Sequence, residues 1–353
     1  MNLRNVFVPR YIRFCRGIAE WAENIINVIE SCGKHKPFFL FDEIFENIDR
    51  FKLLRQKLIS AYPDSRELVS HSDEVFFSDD LTKSMIETRS DIVIAIGGGK
   101  CLDMGKYSAF KVNLPFLSSP TQASHDGVCS PRAVLKINAS VYSLPARTPM
   151  AIIVDLETIK NSPKRKTRAG IGDLSSNIVA VNDWKLGAKE KGENYDDFAA
   201  TLSIFSAEWL FDVPKFDLED TVFLEKFIHS LIFSGIAMEI AGSSRPASGA
   251  EHKISHAIDK LGLSRDNSHG EQVALGTLVS SVLQGGNWQR QREFLIKASL
   301  PVKSSDIGIN ADDFLNALVI APTIRPERYT ILEKLSLDVQ GYKNHLKPCG
   351  ILE

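Results

Sequence analysis

The chain has 353 residues, 44% of them hydrophobic and 24% charged, an ordinary globular composition with length for one large or two ordinary domains. Its 42 Lys+Arg against 44 Asp+Glu give a formal charge of −2, so nothing global favours nucleic acid or an anionic membrane. No apolar run is read as reaching the roughly 20 residues that span a bilayer, and the opening MNLRNVFVPRYIRF lacks the apolar core of a signal peptide. Five cysteines (Cys15, Cys32, Cys101, Cys129, Cys349) with no CxxC spacing argue against a disulfide framework or a cysteine-based zinc site. The expectation is free thiols and a cytoplasmic location.

In chain order, PFFLF (37–41), ending at Asp42, reads as a buried strand, and ENIDRFKLLRQKLISA (46–61) as an amphipathic helix through Ile48, Phe51, Leu54, Leu58 and Ile59. SDIVIAIGGGK (90–100) is a β-branched strand running into glycines, and CLDMGKYSAFKV (101–112) a helix. LPFLSSPT (114–121) and MAIIVD (150–155) are further strands. Alternating strands and helices predict a mostly parallel sheet covered on both faces. From about residue 166 strand-like runs are scarce, and 171–188, 223–242 and 270–286 read as helices. The chain is therefore expected to divide into an α/β dinucleotide-binding domain, 1–165, and an all-α metal and substrate domain, 166–353. The basic run PKRKTR (163–168) reads as a solvated loop at that boundary.

GGGKCLD (97–103) follows a buried strand and opens a helix. Glycines let the backbone approach a pyrophosphate, and the helix N-terminus offers free N–H groups and a positive dipole end. The motif is neither GxGxxG nor GxxxxGK[ST], and alone it also suits any tight strand–helix connection. Asp103 in the first turn equally complements the dipole. SSPTQASHDGVCSP (118–131) adds Thr121, Ser124 and Ser130 as candidates for phosphate or nicotinamide contacts, and sets His125 and Asp126 beside Gly127. Sharp turns collect the same residue types for local reasons. Asp42 at a strand end fits a ribose hydroxyl or a surface position.

Three potential metal ligands lie far apart: Asp173 in AGIGDLSSN (169–177), His252 in SRPASGAEHKISHAIDKLG (244–262) and His269 in DNSHGEQVALG (266–276). One carboxylate and two imidazoles match a three-ligand catalytic site with an open position. His252 and His256, four apart on one helix face, either both bind the ion or divide between ion and substrate. Glu251 is read as pointing elsewhere, and Arg245 as available to an anion. His35, His71, His229 and His345 are left as structural or surface residues.

IAIGGGKCLDMGK, PFLSSPTQASHDGVCSPRA, AGIGDLSSNIVAVNDWKL, SGIAMEIAGSSRPASGAEHKISHAID, SHGEQVALGTL and APTIRPERYTILEKL together resemble the sn-glycerol-1-phosphate dehydrogenase family. That family lies within the iron-dependent alcohol dehydrogenase, glycerol dehydrogenase and dehydroquinate synthase superfamily. The resemblance runs from about residue 92 to 335. It implies a dehydroquinate synthase-like fold and NAD(P)H-dependent interconversion of dihydroxyacetone phosphate and glycerol 1-phosphate. It further implies zinc held by Asp173, His252 and His269. Asp126, His256 and Asp173 would meet substrate, and Gly98, Gly99, Lys100, Asp103, Thr121, Ser124 and Ser130 would line the NAD(H) or NADP(H) site. Lys106, Arg132 and His256 are candidate phosphate partners, and a homo-oligomer is expected. Cys101 and Met104-Gly105 depart from the pattern, where aliphatic residues and Ala are usual. The rival expectations are a superfamily enzyme for another phosphorylated ketose or sugar, and a catalytically silent nucleotide- or metal-binding protein.

Overall fold

A computed structural model describes residues 5–138 and 140–352. Two compact units emerge from its contacts: Met1–Lys164 with Leu218–Glu239, and Arg165–Asp217 with Ile240–Glu353. The first unit thus takes in a return segment that linear reading places in the helical half.

Its strands are β1 (Tyr11–Cys15), β2 (Pro37–Asp42), β3 (Arg66–Ser70), β4 (Ile92–Gly97), β5 (Phe116–Pro120), β6 (Arg132–Ile137), β7 (Ser140–Pro145) and β8 (Ala151–Asp155). Six form one parallel sheet in the order β1-β8-β5-β4-β2-β3, while β6 and β7 make an antiparallel hairpin. Alternation along the central strands splits the core in two. Phe39, Phe41, Ile92, Ile94 and Ile96 pack with Trp21, Ile25 and Ile29 of the helix Ile18–Ser31 and with Phe51, Leu54 and Leu58 of the helix Asp49–Ala61. Phe38, Leu40, Val93 and Ala95 face the other way, onto Leu102 and Met104 of the helix Gly99–Lys111 and onto Leu81 and Met85. Each fully buried side chain of this size stabilises by about 1.5–3 kcal/mol, and two apolar faces are what a parallel sheet under helices needs.

Several elements escape the sequence. β1 and β3 are edge strands, and β3 (RELVS) is only half-buried, so neither carries the continuous apolar run of a central strand. The helix expected over 46–61 is two pieces, Ile44–Asn47 and Asp49–Ala61, because Ile48 is extended and largely exposed. Gly105 has a packing reason: a Cβ there would lie 2.7 Å from the Ala95 Cβ and 3.2 Å from the Phe116 ring. Its absence seats the helix Gly99–Lys111 on the sheet.

All described strands precede residue 156, so the second unit is helical throughout. The run 171–188 breaks at Ser176 into Lys164–Ser175 and Asn177–Lys191. Ala250–Lys260 and His269–Leu283 lie side by side. Contrary to the sequence reading, one described helix, Thr221–Ala241, is long and apolar enough to cross a membrane, with a mean hydropathy of 1.3 over its most apolar window. Of that window, 61% is buried inside the protein, the pattern of a core helix.

Candidate functional site

Strand order in the sheet reverses between β2, which leads outward to β3, and β4, which leads the other way to β5. Ligands of open α/β sheets bind beyond the carboxyl ends of the strands at such a point. Asp42 ends β2 there, and Gly97 ends β4. A Cβ on Gly97 would lie 2.6 Å from the Asp42 Cβ, so glycine is what lets the two strand ends close up. The Gly98 N–H donates to Asp42 Oδ2 at 3.0 Å, and the Ile44 N–H to Oδ1 at 3.2 Å. The carboxylate thus braces the glycine turn. Gly99 begins the helix, and a Cβ there would strike the His125 ring. Thr121 is buried, its N–H donating to the Gly97 carbonyl at 2.9 Å, and its hydroxyl has no partner among the described residues. A hydroxyl orphaned in this way fits a polar cofactor group.

Other expected cofactor residues are committed within the protein. Lys100 is exposed and pairs with Asp73 at 2.9 Å. Asp103 is buried, accepts the Val134 N–H at 2.9 Å and pairs with Lys106 at 3.0 Å. Lys106 also donates to the carbonyls of Gly127 (2.8 Å), Ser130 (3.2 Å) and Arg132 (2.7 Å). Its ammonium is therefore a tie between helix and turn rather than a phosphate ligand. The Arg132 guanidinium is engaged with Ser143. Ser130 is buried and bonds the Arg132 carbonyl, whereas Ser124 is half-buried in the turn. Asp126 opens the short turn Asp126–Val128 and accepts the Ser234 hydroxyl on Oδ2 at 3.1 Å. Burial raises its carboxyl above the usual range, against the opposing pull of His125, Ser234 and Lys106.

In the second unit, close helix crossings assemble the triad. A Cβ on Gly172 would lie 2.8 Å from the Gly270 carbonyl oxygen, and one on Gly270 would strike the Ala169 backbone. Those glycines flank Asp173 and His269, so the crossing that they permit sets carboxylate beside imidazole. Gly276 repeats the device: a Cβ there would lie 2.8 Å from the Glu251 carbonyl oxygen and 3.0 Å from its Cα. That brings the start of Ala250–Lys260, with His252, against the same central helix. Consequently the ligand atoms of Asp173, His252 and His269 all lie within 4.8 Å of one another. Asp173 Oδ1 is 3.5 Å from His252 Nε2 and 3.8 Å from His269 Nε2.

Burial, then Arg325 and Arg328, hold the His252 imidazolium down to about 3. The ring is therefore neutral, the form a metal requires. His256, one turn on, lies 6.1 Å from the His269 ring and 3.3 Å from the Arg325 guanidinium. Burial and then Arg325 push it well below the ordinary histidine value. Arg328 bonds the Ser248 carbonyl (2.7 Å) and Ser244 hydroxyl (2.9 Å), and burial lowers it to about 9. One carboxylate and two imidazole nitrogens, converging on a partly exposed point, fit a divalent cation such as zinc.

Two sequence expectations are corrected. Glu251 does not point elsewhere: it is fully buried and its Oε1 lies 2.9 Å from His252 Nδ1. In the first turn of a helix a side chain can fold back toward the cap, and Glu251 takes the Gly249 N–H as well, at 2.5 Å. Arg245 is not available to an anion, since it grips Glu193 through two 2.7 Å bonds and the Tyr329 carbonyl through another. Sequence reasoning missed Arg325 and Arg328 as neighbours of the histidines, although IRPER, rich in charge between apolar runs, was visible. It also missed Ser255, which lies 3.0 Å from His269 Nδ1.

The family model for iron-containing alcohol dehydrogenase matches residues 28–163. Among solved structures, a probable glycerol dehydrogenase from Sinorhizobium meliloti 1021 shares the fold with a TM-score of 0.80 and 21% identity, covering 99% of this chain and 98% of that one. Glycerol dehydrogenase from Schizosaccharomyces pombe follows at 0.75 and 22%, covering 99% and 91%. Among curated relatives, glycerol-1-phosphate dehydrogenase [NAD(P)+] of Thermococcus kodakarensis is 46% identical over 74% of this chain and 74% of its own. The protein of the same name from Pyrococcus horikoshii is 45% identical over 73% and 75%. Identity at that level across three quarters of the sequence, on the fold of the glycerol dehydrogenases, places the chain in the glycerol-1-phosphate dehydrogenase family.

Proposed function

We propose that the protein is an NAD(P)-dependent dehydrogenase that reversibly reduces dihydroxyacetone phosphate to sn-glycerol 1-phosphate, with zinc held by Asp173, His252 and His269. The observation that carries this reading is the meeting of those three ligand atoms within 4.8 Å, in a chain 46% identical to a relative of that name. An ion held by these three residues would supply Lewis acidity toward a ketone oxygen. A reduced nicotinamide bound at the glycine turn would supply the hydride, leaving the protein to deliver the proton that completes the secondary alcohol.

The chain's own residues divide the remaining work. Gly98 and Gly99 keep side chains away from the helix start, whose N–H groups receive the pyrophosphate. The Thr121 hydroxyl would bond the cofactor and Ser124 stands by it in the same turn, while Lys100 reaches a cofactor only by leaving Asp73. Asp103 and Ser130 act from behind, by holding the turn 126–134 in shape. Asp126 holds the proton for the product oxygen: Ser234 occupies Oδ2, so Oδ1 carries it, and burial favours the protonated form. His256 faces the substrate as a neutral ring, its Nε2 accepting from Arg325. Arg325 is the cation for the substrate phosphate, since a guanidinium matches phosphate with paired donors.

The deciding assay supplies zinc-loaded protein with dihydroxyacetone phosphate and each reduced nicotinamide, then determines the chirality of the product. Consumption of NADH or NADPH with formation of the sn-1 ester is expected. No turnover, or the opposite enantiomer, would overturn the assignment.

A homo-oligomer belongs to the same proposal. On the helix Asp197–Glu208, Phe198 and Phe205 are each 68% exposed, with half-buried Leu202 between them. An apolar stripe of this kind favours association. Light scattering should give a multiple of 39.3 kDa, reduced by Phe205→Glu; a wild-type mass of one chain would refute it.

A further inference from the structure

We infer that Glu251 and Ser255 are positioning residues that lock both imidazoles of the triad in one tautomer, with the proton on Nδ1 and the Nε2 lone pair toward Asp173. The inference rests on the metal reading of Asp173, His252 and His269. Neither residue is among the three ligands.

For His252 the argument runs through one oxygen. Glu251 Oε1 already accepts the Gly249 N–H at 2.5 Å. The same Oε1 lies 2.9 Å from His252 Nδ1. Any proton on this carboxyl goes to Oε2, which is buried and has no hydrogen-bond partner among the described residues. Oε1 is therefore an acceptor in either charge state, and Nδ1 must be the donor. A second acid behind it fixes the frame: Asp183 Oδ2 accepts the Ala250 N–H at 2.8 Å, and a Cβ on Gly249 would lie 2.7 Å from that Asp183 oxygen. Glycine at 249 is thus what lets the cap close over Glu251.

For His269 the same result arrives through neutral groups. Gln272 is buried, and its Nε2 faces the oxygens of Asn267 (2.7 Å), Ser264 (2.9 Å) and Asp259 (3.2 Å). Acceptors around that nitrogen orient the amide, leaving Oε1 to accept the Ser255 hydroxyl at 2.5 Å. With its proton spent there, Ser255 Oγ offers a lone pair to His269 Nδ1 at 3.0 Å. Both Nε2 atoms then present lone pairs to the point shared with Asp173 Oδ1. Ligating histidines held by such partners lose roughly 10–100-fold in metal affinity when the partner is removed. One relay ends in a carboxyl group that touches His252 directly and the other in a hydroxyl held by Gln272, so the two should differ in strength.

Zinc affinity of the full-length protein, measured by competition with a chromogenic chelator and without turnover, tests this directly. Glu251→Ala should weaken zinc roughly 10–100-fold. Glu251→Gln, which keeps an acceptor oxygen but not the charge, should fall between it and wild type, and Ser255→Ala should weaken zinc less than Glu251→Ala. Nitrogen-15 spectra of the metal-free protein should show Nδ1–H at His252 in wild type and in Glu251→Gln. Wild-type affinity in Glu251→Ala, or Nε2–H at His252 in the wild-type protein, would overturn the inference. Should Glu251→Ala fail to fold, wild-type affinity in both Glu251→Gln and Ser255→Ala overturns it instead. Zinc-loaded wild type that binds as expected but leaves dihydroxyacetone phosphate unreduced would sink the activity assignment and leave the positioning role standing.

Discussion

The two units build their candidate sites by opposite means. In the first, the working surface is mostly backbone: Gly97, Gly98 and Gly99 remove side chains at the carboxyl end of β4, and Asp42 braces the turn from β2. In the second, the working surface is side chains, carried to one point by helices that cross at Gly172, Gly270 and Gly276. The sheet makes its site at the reversal of strand order, a property of topology. The helical unit has no such fixed place, and its site exists only where close packing puts it. Glycine serves both units, for the closing of two strand ends in one and for helix approach in the other.

The largest expected effect tests the side-chain half. His252→Ala should lose zinc on dialysis, measured by elemental analysis, and should lose reduction by roughly 10³-fold or more, the several kcal/mol that a Lewis acid contributes. Full activity in a metal-free variant would break the contrast.

Next comes Asp126. Its raised carboxyl is the protonated donor below its own pKa, so the rate of reduction should be level at low pH and fall as pH rises through that value. Asp126→Asn should remove that limb and slow turnover by roughly 10²–10⁴-fold. An unchanged pH profile would place the proton donor elsewhere.

The glycines themselves give a paired comparison. At Gly270 a methyl group meets the Ala169 backbone, and at Gly105 it meets the Ala95 Cβ. Overpacking of this kind costs roughly 1–3 kcal/mol, so Gly270→Ala and Gly105→Ala should each melt several degrees early in a thermal scan. Only Gly270→Ala should also weaken zinc. Equal zinc affinity in the two variants would separate the crossing from the triad.

The smallest effect concerns the backbone half. Removing one hydroxyl with Thr121→Val should raise KM for the nicotinamide cofactor by about 2–10-fold, the worth of one hydrogen bond, with zinc content unchanged. A KM identical to wild type would take Thr121 out of the cofactor site.

How much was legible follows the same divide. PFFLF, IVIAIG and AIIVD announce central strands because both faces of a covered parallel sheet must be apolar, and that demand is local to each strand. Edge strands β1 and β3 meet it on fewer sides and leave a fainter trace. The triad residues stand out by type and by family resemblance, yet a separation of 79 positions from Asp173 to His252 (252 − 173 = 79) says nothing of distance. By sequence Asp103 reads as a cofactor residue and Lys106 as a phosphate partner, and the fold spends them on each other and on carbonyl groups of a turn. The chain's sequence alone determined the alternation of sheet and helix, the glycine turn and the residue types of the candidate triad. Tertiary structure decided which polar groups are left to meet a ligand and which way each imidazole faces. Local pattern sets what an element buries, whereas a hydrogen-bond partner such as Ser255 for His269 is assigned only when two separate helices come into contact.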